Sequence, residues 1–290
     1  MAILLKGQAV VDALNEKLTA EIKKLKAKDI HPTIGIIRVG ERTDDVAYER
    51  GAMKRAEKIG ILVKKYLFPE HATQGEILAA IEQINQDCLV HGVLIFRPLP
   101  EHLDDAAIRR ALLPSKDVDG VTDGSMAGVY SGTDLGFPPC TPTACMEILD
   151  YYGIDVTGKK AVVIGRSLVV GKPAALMLMK KNATVTICHT KTVDMVSICK
   201  NADILMVATG KAKSIGAEYC HSEQIVIDVG INLDEDGKLC GDVDFDAVEP
   251  FVKAITPVPG GVGTVTTSLL MKHVVEAAKK AAQKDKKDEN

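Results

Sequence analysis

The stretch AVVIGRSLVVGKP, residues 161–173, decides the fold class of this 290-residue chain. It opens on four consecutive apolar residues, which is typical of a strand covered on both faces of a sheet. A glycine-containing turn follows, and a helix is predicted to begin at the end of that turn. In a dinucleotide-binding fold, this order lets backbone N–H groups of the helix N-terminus face a pyrophosphate. The residues predicted to form this part of a cofactor site are Gly165, Arg166, Ser167, Gly171 and Pro173.

The next predicted strand, residues 183–189, indicates which dinucleotide is bound. In NAD-preferring sites this strand ends in Asp or Glu, which binds the ribose 2′-hydroxyl. Here Thr190 and Lys191 follow the strand, and no carboxylate stands with them. Together with Arg166, these two residues are expected to bind a 2′-phosphate by charge and hydrogen bonds. We therefore predict that NADP is bound in preference to NAD.

The residues alone leave two alternatives open at this site. The turn lacks the G-x-G-x-x-G fingerprint, because Arg166 and Ser167 follow Gly165 directly. It therefore also fits a plain strand-to-helix turn that binds nothing. Lys191 alone is equally consistent with a solvated loop lysine.

Short apolar runs alternate along the chain with segments of helical 3–4 spacing, such as residues 10–25. This alternation predicts an α/β fold with parallel sheets. Ligands bind at the carboxyl ends of such strands, so we add Thr209, Gly210, Gly230 and Ile231 to the predicted cofactor site, although glycines there equally fit plain turns. The predicted strands cover residues 33–39, 61–68, 91–96, 161–165, 183–189, 202–209, 224–230 and 254–258.

A break in this pattern, GTDLGFPPCTPT at residues 132–143, predicts a domain boundary. It is rich in Gly, Pro and Thr, which is typical of a linker. Thr141 is expected to cap the helix that follows, with Pro142 at its first position. The last helix is predicted over residues 266–282, after the glycine-rich segment PVPGGVG.

Composition excludes several classes of function. The formal net charge is −3 without a basic stripe, which argues against a nucleic-acid partner. No apolar run reaches the roughly 18 residues of a membrane helix, and the N-terminus has no signal-peptide pattern. The seven cysteines form no C-x-x-C pair, which indicates reduced thiols and a cytoplasmic location. No cluster has zinc-like spacing, so no metal is expected.

Four motifs occur together and in order: KDVDG at residues 116–120, PCTP at 139–142, G-R-S-x-x-V-G-x-P at 165–173 and PVPGGVG at 257–263. With them, the chain resembles the bifunctional methylenetetrahydrofolate dehydrogenase/methenyltetrahydrofolate cyclohydrolase family over essentially its whole length. The resemblance implies two α/β domains with a cleft between them, the second a Rossmann-like doubly wound parallel sheet, and a homodimer. It also implies that residues 1–140 with the C-terminal helix, 266–290, bind the folate substrate, and that residues 141–265 bind NADP.

The resemblance also implies the roles of residues at the substrate site. Asp119 matches the carboxylate that accepts hydrogen bonds from the pterin ring, and Tyr48 matches a tyrosine of the folate pocket; these two are the implied catalytic residues. The remaining residues implied to bind substrate are Ala52, Phe96, Pro98, Pro259, Gly260 and Gly263. Outside the family context, a loop aspartate, a core tyrosine and a turn would be the simpler interpretations.

The chain departs from the family pattern at the positions that serve hydrolysis. The family has Y-x-x-x-K on the helix of Tyr48, but Ala52 stands at the lysine position. A helix turns about 100° per residue, so Lys54 lies roughly 120° away from Tyr48 and does not replace that lysine. The family glutamine after the third strand is Phe96 here. Arg97, Thr264 and the segment Thr43-Asp44-Asp45 also differ from the family pattern.

These departures predict a dehydrogenase whose cyclohydrolase activity is weak or lost. The expected reaction is the NADP-dependent oxidation of 5,10-methylenetetrahydrofolate to 5,10-methenyltetrahydrofolate. Hydride transfer needs alignment of two ligands, whereas hydrolysis needs a side chain that transfers protons. The alternatives are a fully bifunctional enzyme that yields 10-formyltetrahydrofolate, a dehydrogenase for another pterin carrier of one-carbon units, and a non-catalytic NADP-binding regulator.

Overall fold

The computed structural model describes residues 1–288, with side chains described through residue 283. The α-helices are α1 (Gly7–Lys26), α2 (Thr43–Ile59), α3 (Gln74–Gln86), α4 (Asp105–Ala111), α5 (Asp123–Ser131), α6 (Cys140–Tyr151), α7 (Gly171–Lys180), α8 (Met195–Lys200), α9 (Phe245–Val248) and α10 (Val262–Asp288). The strands are β1 (Ile3–Leu4), β2 (Thr33–Val39), β3 (Leu62–Phe68), β4 (Gly92–Ile95), β5 (Lys160–Ile164), β6 (Thr184–Cys188), β7 (Ile204–Val207), β8 (Ile225–Asp228), β9 (Asn232–Leu233), β10 (Leu239–Cys240) and β11 (Ala254–Ile255).

Contacts divide the chain into two units. Unit 1 comprises Met1–Asp12 and Pro139–Thr266, and unit 2 comprises Ala13–Pro138 and the chain from Thr267 onward. The predicted division placed residues 1–12 with the first domain. They group with unit 1 because β1 pairs in parallel with β11 at the edge of its sheet. A strand of two residues has too little periodicity to be read from the sequence.

Unit 1 contains a six-stranded sheet in the order β1-β11-β8-β7-β5-β6, with parallel pairing throughout. The chain passes from β5 outward to β6 and then returns to β7 on the other side of β5. This reversal is the topological switch point of a doubly wound sheet, and ligands bind at the carboxyl ends of the strands there. The predicted α/β class with a Rossmann-like parallel sheet is confirmed.

Unit 2 contains a three-stranded parallel sheet in the order β3-β2-β4. All seven residues of the central strand β2 are buried, as expected for a strand between two covered faces. Ile77, Ile81 and Ile84 on α3 pack into the core around β2 and β4. The predicted strand at residues 33–39 coincides with β2, so the apolar run fixed its position in the chain.

Two helices begin earlier than predicted. α6 begins at Cys140 with Pro139 as its N-cap, because the carbonyl of Pro139 already accepts a hydrogen bond from Thr143 N at 3.2 Å. Thr141 therefore lies inside the first turn and does not cap the helix. α10 begins at Val262, four residues before the predicted start, so the end of the PVPGGVG segment forms its first turn. The predicted folate domain included residues 266–290, of which residues 289–290 lie outside the described part.

Among the described residues, no helix is both long and apolar enough to cross a membrane. The same residues hold no group of three or more His, Cys, Asp or Glu side chains arranged to bind a metal ion. All seven cysteines are free thiols; six are buried and Cys88 is exposed.

A buried histidine joins α10 to the KDVDG loop within unit 2. The carbonyl of Val118 lies 2.8 Å from Nδ1 of His273, and a carbonyl can only accept, so Nδ1 is the donor. The ring also packs on Phe137, with the centroids 5.1 Å apart. Burial lowers the pKa of His273 to about 4, and the nearby Lys272 and Lys280 add to this effect. The imidazole is therefore neutral at pH 7.

This burial predicts an acid sensitivity that one substitution removes. The pKa of His273 is about 4 in the folded chain and 6.5 ordinarily, so its unfolded form binds more protons between these values. The stability it contributes is complete above pH 6.5 and is lost as the pH falls toward 4, by about 3 kcal/mol in all. His273→Asn keeps a donor but does not titrate. In urea unfolding at pH 7 and pH 4.5, the wild type should lose about 2–3 kcal/mol more than this variant. Equal losses would contradict the assignment.

Candidate active site

The turn after β5 lies at the switch point of unit 1. Gly165 N donates to the carbonyl of Cys188 at 2.9 Å, and Ala208 N donates to the carbonyl of Ile164 at 2.8 Å. A Cβ on Gly165, whose φ is +131°, would collide with the carbonyl oxygen of Ala208. A Cβ on Gly171 would collide with the carbonyl oxygen of Gly165. Both glycines are thus required for α7 to begin directly at the ends of three neighbouring strands.

Ser167 organises the first turn of α7. Its Oγ accepts from Val170 N at 3.1 Å and from Gly171 N at 3.3 Å, and its carbonyl accepts from Lys172 N at 3.0 Å. Arg166 and Ser167 are exposed, whereas Pro173 is buried in the helix. The turn therefore presents polar and cationic groups at a helix N-terminus, which suits an anionic ligand.

The end of β6 adds a second cation beside this turn. His189 N donates to Thr192 Oγ1 at 2.9 Å, and Lys191 N donates to His189 Nδ1 at 3.1 Å, so the loop is held by its own residues. Thr190 and Lys191 are exposed. Since β5 and β6 are paired neighbours, the structure brings the loop of Lys191 to the same sheet edge as Arg166. Arg166 and Lys191 thus each follow the end of one of these two strands.

Two buried aspartates hold the remaining strand ends of unit 1. Asp242 accepts from Thr209 N at 2.6 Å and from Gly210 N at 2.9 Å. Asp228, at the end of β8, accepts from Gly230 N at 3.0 Å. Burial raises the pKa of Asp228 to about 6, against the opposing effect of the N–H groups it accepts from. Sequence reasoning missed both carboxylates as site residues, although Asp242 lies in a G-D-V run, residues 241–243, that could have drawn attention.

A pocket of about 160 Å³ opens beside Asp228. Ile231, Leu239 and residues 257–264 line it, so Gly230 and Ile231 meet the PVPGGVG segment there. A Cβ on Gly263 would approach Ile231 Cδ1 to 2.9 Å, while a Cβ on Gly260, whose φ is +105°, would meet Pro257 Cγ at 3.9 Å. The pocket therefore brings together five of the predicted residues: Gly230, Ile231, Pro259, Gly260 and Gly263. Leu239 was not predicted.

The KDVDG motif forms a loop in unit 2, and its first two residues, Lys116 and Asp117, bind backbone groups. Lys116 Nζ donates to the carbonyls of Ile84 at 2.5 Å and Asp87 at 2.7 Å, and burial lowers its pKa. Asp117 is fully buried and accepts from Val121 N at 3.0 Å and Thr122 N at 2.7 Å.

Gly120 adopts φ +71°, which turns the chain immediately after Asp119. Asp119 itself is half-exposed, with its neighbours fixed on both sides. The loop is therefore built to hold one carboxylate in a set position.

The helix α2 carries Tyr48 and Ala52. Tyr48 is 41% exposed, and its ring meets that of Phe96 edge-on at 5.8 Å between centroids. Ala52 is only 1% exposed, whereas Lys54 lies on the exposed side of the helix. A methyl group thus occupies this buried position of the helix, and Lys54 lies on another face, as the helical geometry predicts.

An ion pair missed by the sequence analysis lies on the same buried face of α2. Glu49 Oε2 is 2.7 Å from Arg38 Nε on β2, and Glu49 Oε1 is 3.3 Å from Lys65 Nζ on β3. Arg38 and Glu49 are buried, so their charges neutralise each other. Both oxygens of Glu49 face cations, so its hydrogen-bonding capacity is directed to the sheet.

The arginine that follows Phe96 is held by α4. Arg97 Nε and Nη2 lie 2.5 and 2.7 Å from the two oxygens of Asp105, and Arg109 Nε lies 2.9 Å from the same carboxylate. Pro98, predicted to bind substrate, is exposed, and its carbonyl accepts from Arg42 Nη1 at 3.3 Å. Arg97 thus serves a surface ion-pair network, and a guanidinium does not titrate near neutral pH.

Comparison with known proteins matches both units. Residues 5–119 match the family model of the tetrahydrofolate dehydrogenase/cyclohydrolase catalytic domain. Residues 139–282 match that of the tetrahydrofolate dehydrogenase/cyclohydrolase NAD(P)-binding domain. The chain belongs to this family. It carries the NAD(P)-binding domain in the part that contains the switch-point turn, and the family resemblance read from the sequence motifs is confirmed.

Individual relatives cover nearly the whole chain. The bifunctional protein FolD of Carboxydothermus hydrogenoformans is 52% identical over 96% of this chain and 97% of its own. A crystal structure of the bifunctional FolD enzyme, methylenetetrahydrofolate dehydrogenase/cyclohydrolase, from Campylobacter jejuni has TM-score 0.93 and 40% identity, with 97% of this chain and 99% of that chain covered. The Trypanosoma brucei enzyme, solved with NADP cofactor and an inhibitor, has TM-score 0.89 and 32% identity, covering 97% and 98% of the two chains.

Proposed function

We propose that this chain is an NADP-dependent 5,10-methylenetetrahydrofolate dehydrogenase in which the cyclohydrolase activity of its relatives is lost or weak. One observation carries the proposal. The half-exposed Asp119 and the cationic turn of Arg166 are both built as a dehydrogenase needs, whereas Ala52 buries a methyl group where hydrolysis needs a proton carrier.

In this proposal the residues of unit 2 hold and orient the folate. The carboxylate of Asp119 accepts hydrogen bonds from the amino-pyrimidine edge of the pterin, a match of two donors to two acceptors. Asp117 and Lys116 fix the loop around it through the backbone groups that they bind. Tyr48 and Phe96 provide an aromatic edge for the ring system. None of these groups needs to change protonation state during oxidation.

The residues of unit 1 hold the dinucleotide. The Ser167 hydroxyl and the positive dipole end of α7, whose first N–H groups donate to Ser167, face the pyrophosphate, and Arg166 with Thr190 and Lys191 bind the 2′-phosphate. Bound NADP⁺ supplies an acceptor for the hydrogen that leaves the methylene carbon with both electrons of its C–H bond. The positive charge left behind is shared by the two folate nitrogens, so this step asks the chain for alignment rather than for acid–base chemistry.

Hydrolysis of the methenyl product makes a different demand. Water adds to the cation and a C–N bond then breaks, which needs proton transfers by a group with a suitable pKa. Lysine can be tuned for this by burial, but arginine cannot. On the relevant face of α2, Ala52 has no titratable group and Glu49 is held between two cations. Phe96 replaces the amide that would orient a lysine.

A fully bifunctional enzyme is the second candidate. The observation that favours it is Tyr48, whose ring is 41% exposed beside Phe96 and whose hydroxyl is a proton donor and acceptor. The relatives of this chain also bear the name of bifunctional proteins. The two candidates differ only in the fate of methenyltetrahydrofolate.

The proposal extends to the assignment of the two units and to the assembly. Residues 13–138 with the C-terminal helix bind folate, and residues 139–265 bind NADP. The homodimer and the cytoplasmic location expected from the sequence belong to the same proposal. Light scattering of the purified protein tests the dimer directly.

Oxidation itself is tested by mixing the purified chain with methylenetetrahydrofolate and NADP⁺ and following NADPH. NADPH should form in the wild type. Asp119→Ala should abolish folate binding but leave the NADP⁺ affinity within about twofold, because the pterin loses a charge-assisted pair of hydrogen bonds. Isothermal titration with each ligand separates the two effects. Undiminished folate affinity in this variant would place the pterin elsewhere.

Cofactor preference is tested by Arg166→Ala. Loss of one cation at a 2′-phosphate should raise the KM for NADP⁺ about 10-fold or more and change that for NAD⁺ little. Lys200→Ala, which removes an exposed charge at the far end of α8, is the matched control and should leave both values unchanged. Equal losses for NADP⁺ and NAD⁺ in Arg166→Ala would remove the 2′-phosphate role.

Loss of hydrolysis is tested by starting from methenyltetrahydrofolate and following its decay. General acid–base help is worth roughly 10²–10⁴-fold, so the wild type should leave the decay near the buffer rate. Ala52→Lys with Phe96→Gln should raise the decay rate, and Lys54→Ala should change nothing, because Lys54 is on another face of α2. Strong acceleration by the wild type would favour the bifunctional candidate; Tyr48→Phe then shows whether the phenol is responsible.

A further inference from the structure

Asp242 is fully buried at the point where three segments of unit 1 meet. Its Oδ2 accepts from Thr209 N at 2.6 Å and from Gly210 N at 2.9 Å, which follow β7. Its Oδ1 accepts from Nδ2 of Asn232, the first residue of β9, at 2.9 Å. One carboxylate therefore fixes the loop after β7 to the segment after β8.

The neighbouring Asp228 fixes Asp242 in turn. Asp228 Oδ1 accepts from Gly230 N and from Asp242 N, both at 3.0 Å, and Oδ2 accepts from Val243 N at 3.0 Å. Neither of the two glycines beside these carboxylates, Gly230 and Gly241, has room for a side chain. A Cβ on Gly230 would collide with the Asp242 carboxylate, and a Cβ on Gly241 would collide with that of Asp228.

The partners of the Asp242 carboxylate are neutral: two backbone N–H groups and one side-chain amide. They satisfy its hydrogen bonds but do not cancel its charge. Burying a charge costs free energy, and a negative charge near a polyanion costs more. Only a carboxylate, however, offers acceptors on both oxygens toward donors on two sides. The donors of the two loops therefore explain why a carboxylate stands at position 242.

The two loops are ligand loops rather than distant turns. Thr209 and Gly210 leave β7 at the switch point, beside the turn of Gly165. Gly230 and Ile231 line the pocket with residues 257–264, and Asn232 follows them directly. A shift of Asp242 would move both walls of the region where a dinucleotide crosses the sheet edge.

We propose that Asp242 is a positioning residue for the dinucleotide, which it serves by holding the Thr209–Gly210 backbone and Asn232 in register across the strand ends. The inference rests on the proposed function in that unit 1 is taken to bind NADP. It predicts that the Asp242–Asn232 hydrogen bond, and not only the bulk of the two side chains, controls cofactor affinity.

The polarity of this pair can be broken and then restored. In Asp242→Asn, the new amide keeps its oxygen on the N–H groups of Thr209 and Gly210 and donates to Asn232, whose own amide can rotate to accept, so these contacts re-form. Asn232→Asp alone places two carboxylates against each other. In the double variant Asn232→Asp/Asp242→Asn, the new amide accepts from Thr209 and Gly210 and donates to the new carboxylate. The shapes are unchanged throughout.

The experiment measures the Kd for NADP⁺ by titration calorimetry, the KM for NADP⁺ and for methylenetetrahydrofolate, and the Tm of each variant. Asn232→Asp should raise the Kd and KM for NADP⁺ about 10-fold or more, with the folate KM within about twofold, whereas Asp242→Asn should stay within about threefold of the wild type. The double variant should recover to within about threefold of the wild type. Asp246→Asn, an exposed aspartate of α9, is the matched control and should match the wild type.

Several outcomes would overturn the proposal. These are an unchanged NADP⁺ affinity in Asn232→Asp, a parallel rise of both KM values with a lower Tm in that variant, or a double variant no better than Asn232→Asp. If Asp242→Asn does not fold, Asn232→Asp and the double variant make the same comparison. A wild type that binds NADP⁺ without oxidising methylenetetrahydrofolate refutes the proposed function alone, because the Kd comparison still decides the role of Asp242. A wild type that does not bind NADP⁺ refutes both.

Discussion

Buried carboxylates that accept backbone N–H groups are the interaction on which the candidate sites of both units depend. Strands of a parallel sheet end in loops whose N–H groups have no ladder partner, and such groups must be satisfied when they are buried. Asp242 and Asp228 do this after β7 and β8, and Asp117 does it in the KDVDG loop. A water-filled loop could satisfy the same groups, but it would leave the backbone free to move. A carboxylate with several donors fixes the loop, and ligand-binding residues on the loop then occupy set positions without any contact of their own with the core.

The strands of the sheets were predictable because buried strands appear in the sequence as short apolar runs. The predicted segments at 33–39 and 161–165 differ from β2 and β5 by at most one residue at either end. The cofactor turn was predictable for a similar reason, since strand, glycine turn and helix are adjacent in sequence. Asp228 and Asp242 were not, because their partners lie up to 33 residues away and an aspartate beside glycine reads as a solvated turn. Burial of a polar residue is a property of the assembled loops, and no local pattern encodes it.

The helix α2 gives a second example of a contact that sequence patterns do not predict. Helical spacing placed Ala52 on the face of Tyr48 and Lys54 away from it; in the structure Ala52 is buried and Lys54 is exposed. It gave no sign that Glu49 on that buried face would pair with Arg38 and Lys65, because those partners come from two strands of the sheet. Periodicity tells which residues share a face of one element. It does not tell what a second element brings to that face, and for charged residues that second contribution decides whether burial is tolerable.

The two reactions of the family place different demands on a chain, and the proposed function assigns only the first of them to this one. Orientation of two ligands rests mainly on backbone geometry: the glycine turn at the switch point, the fixed loops, and single carboxylates or cations at their tips. Proton transfer rests on one titratable side chain at one place on a helix. A substitution such as lysine to alanine on α2 removes the second without moving any loop that serves the first, since Ala52 packs where the stem of a longer side chain would begin. Loss of one activity with retention of the other therefore requires no rearrangement of the fold, only the absence of a group whose pKa could be tuned.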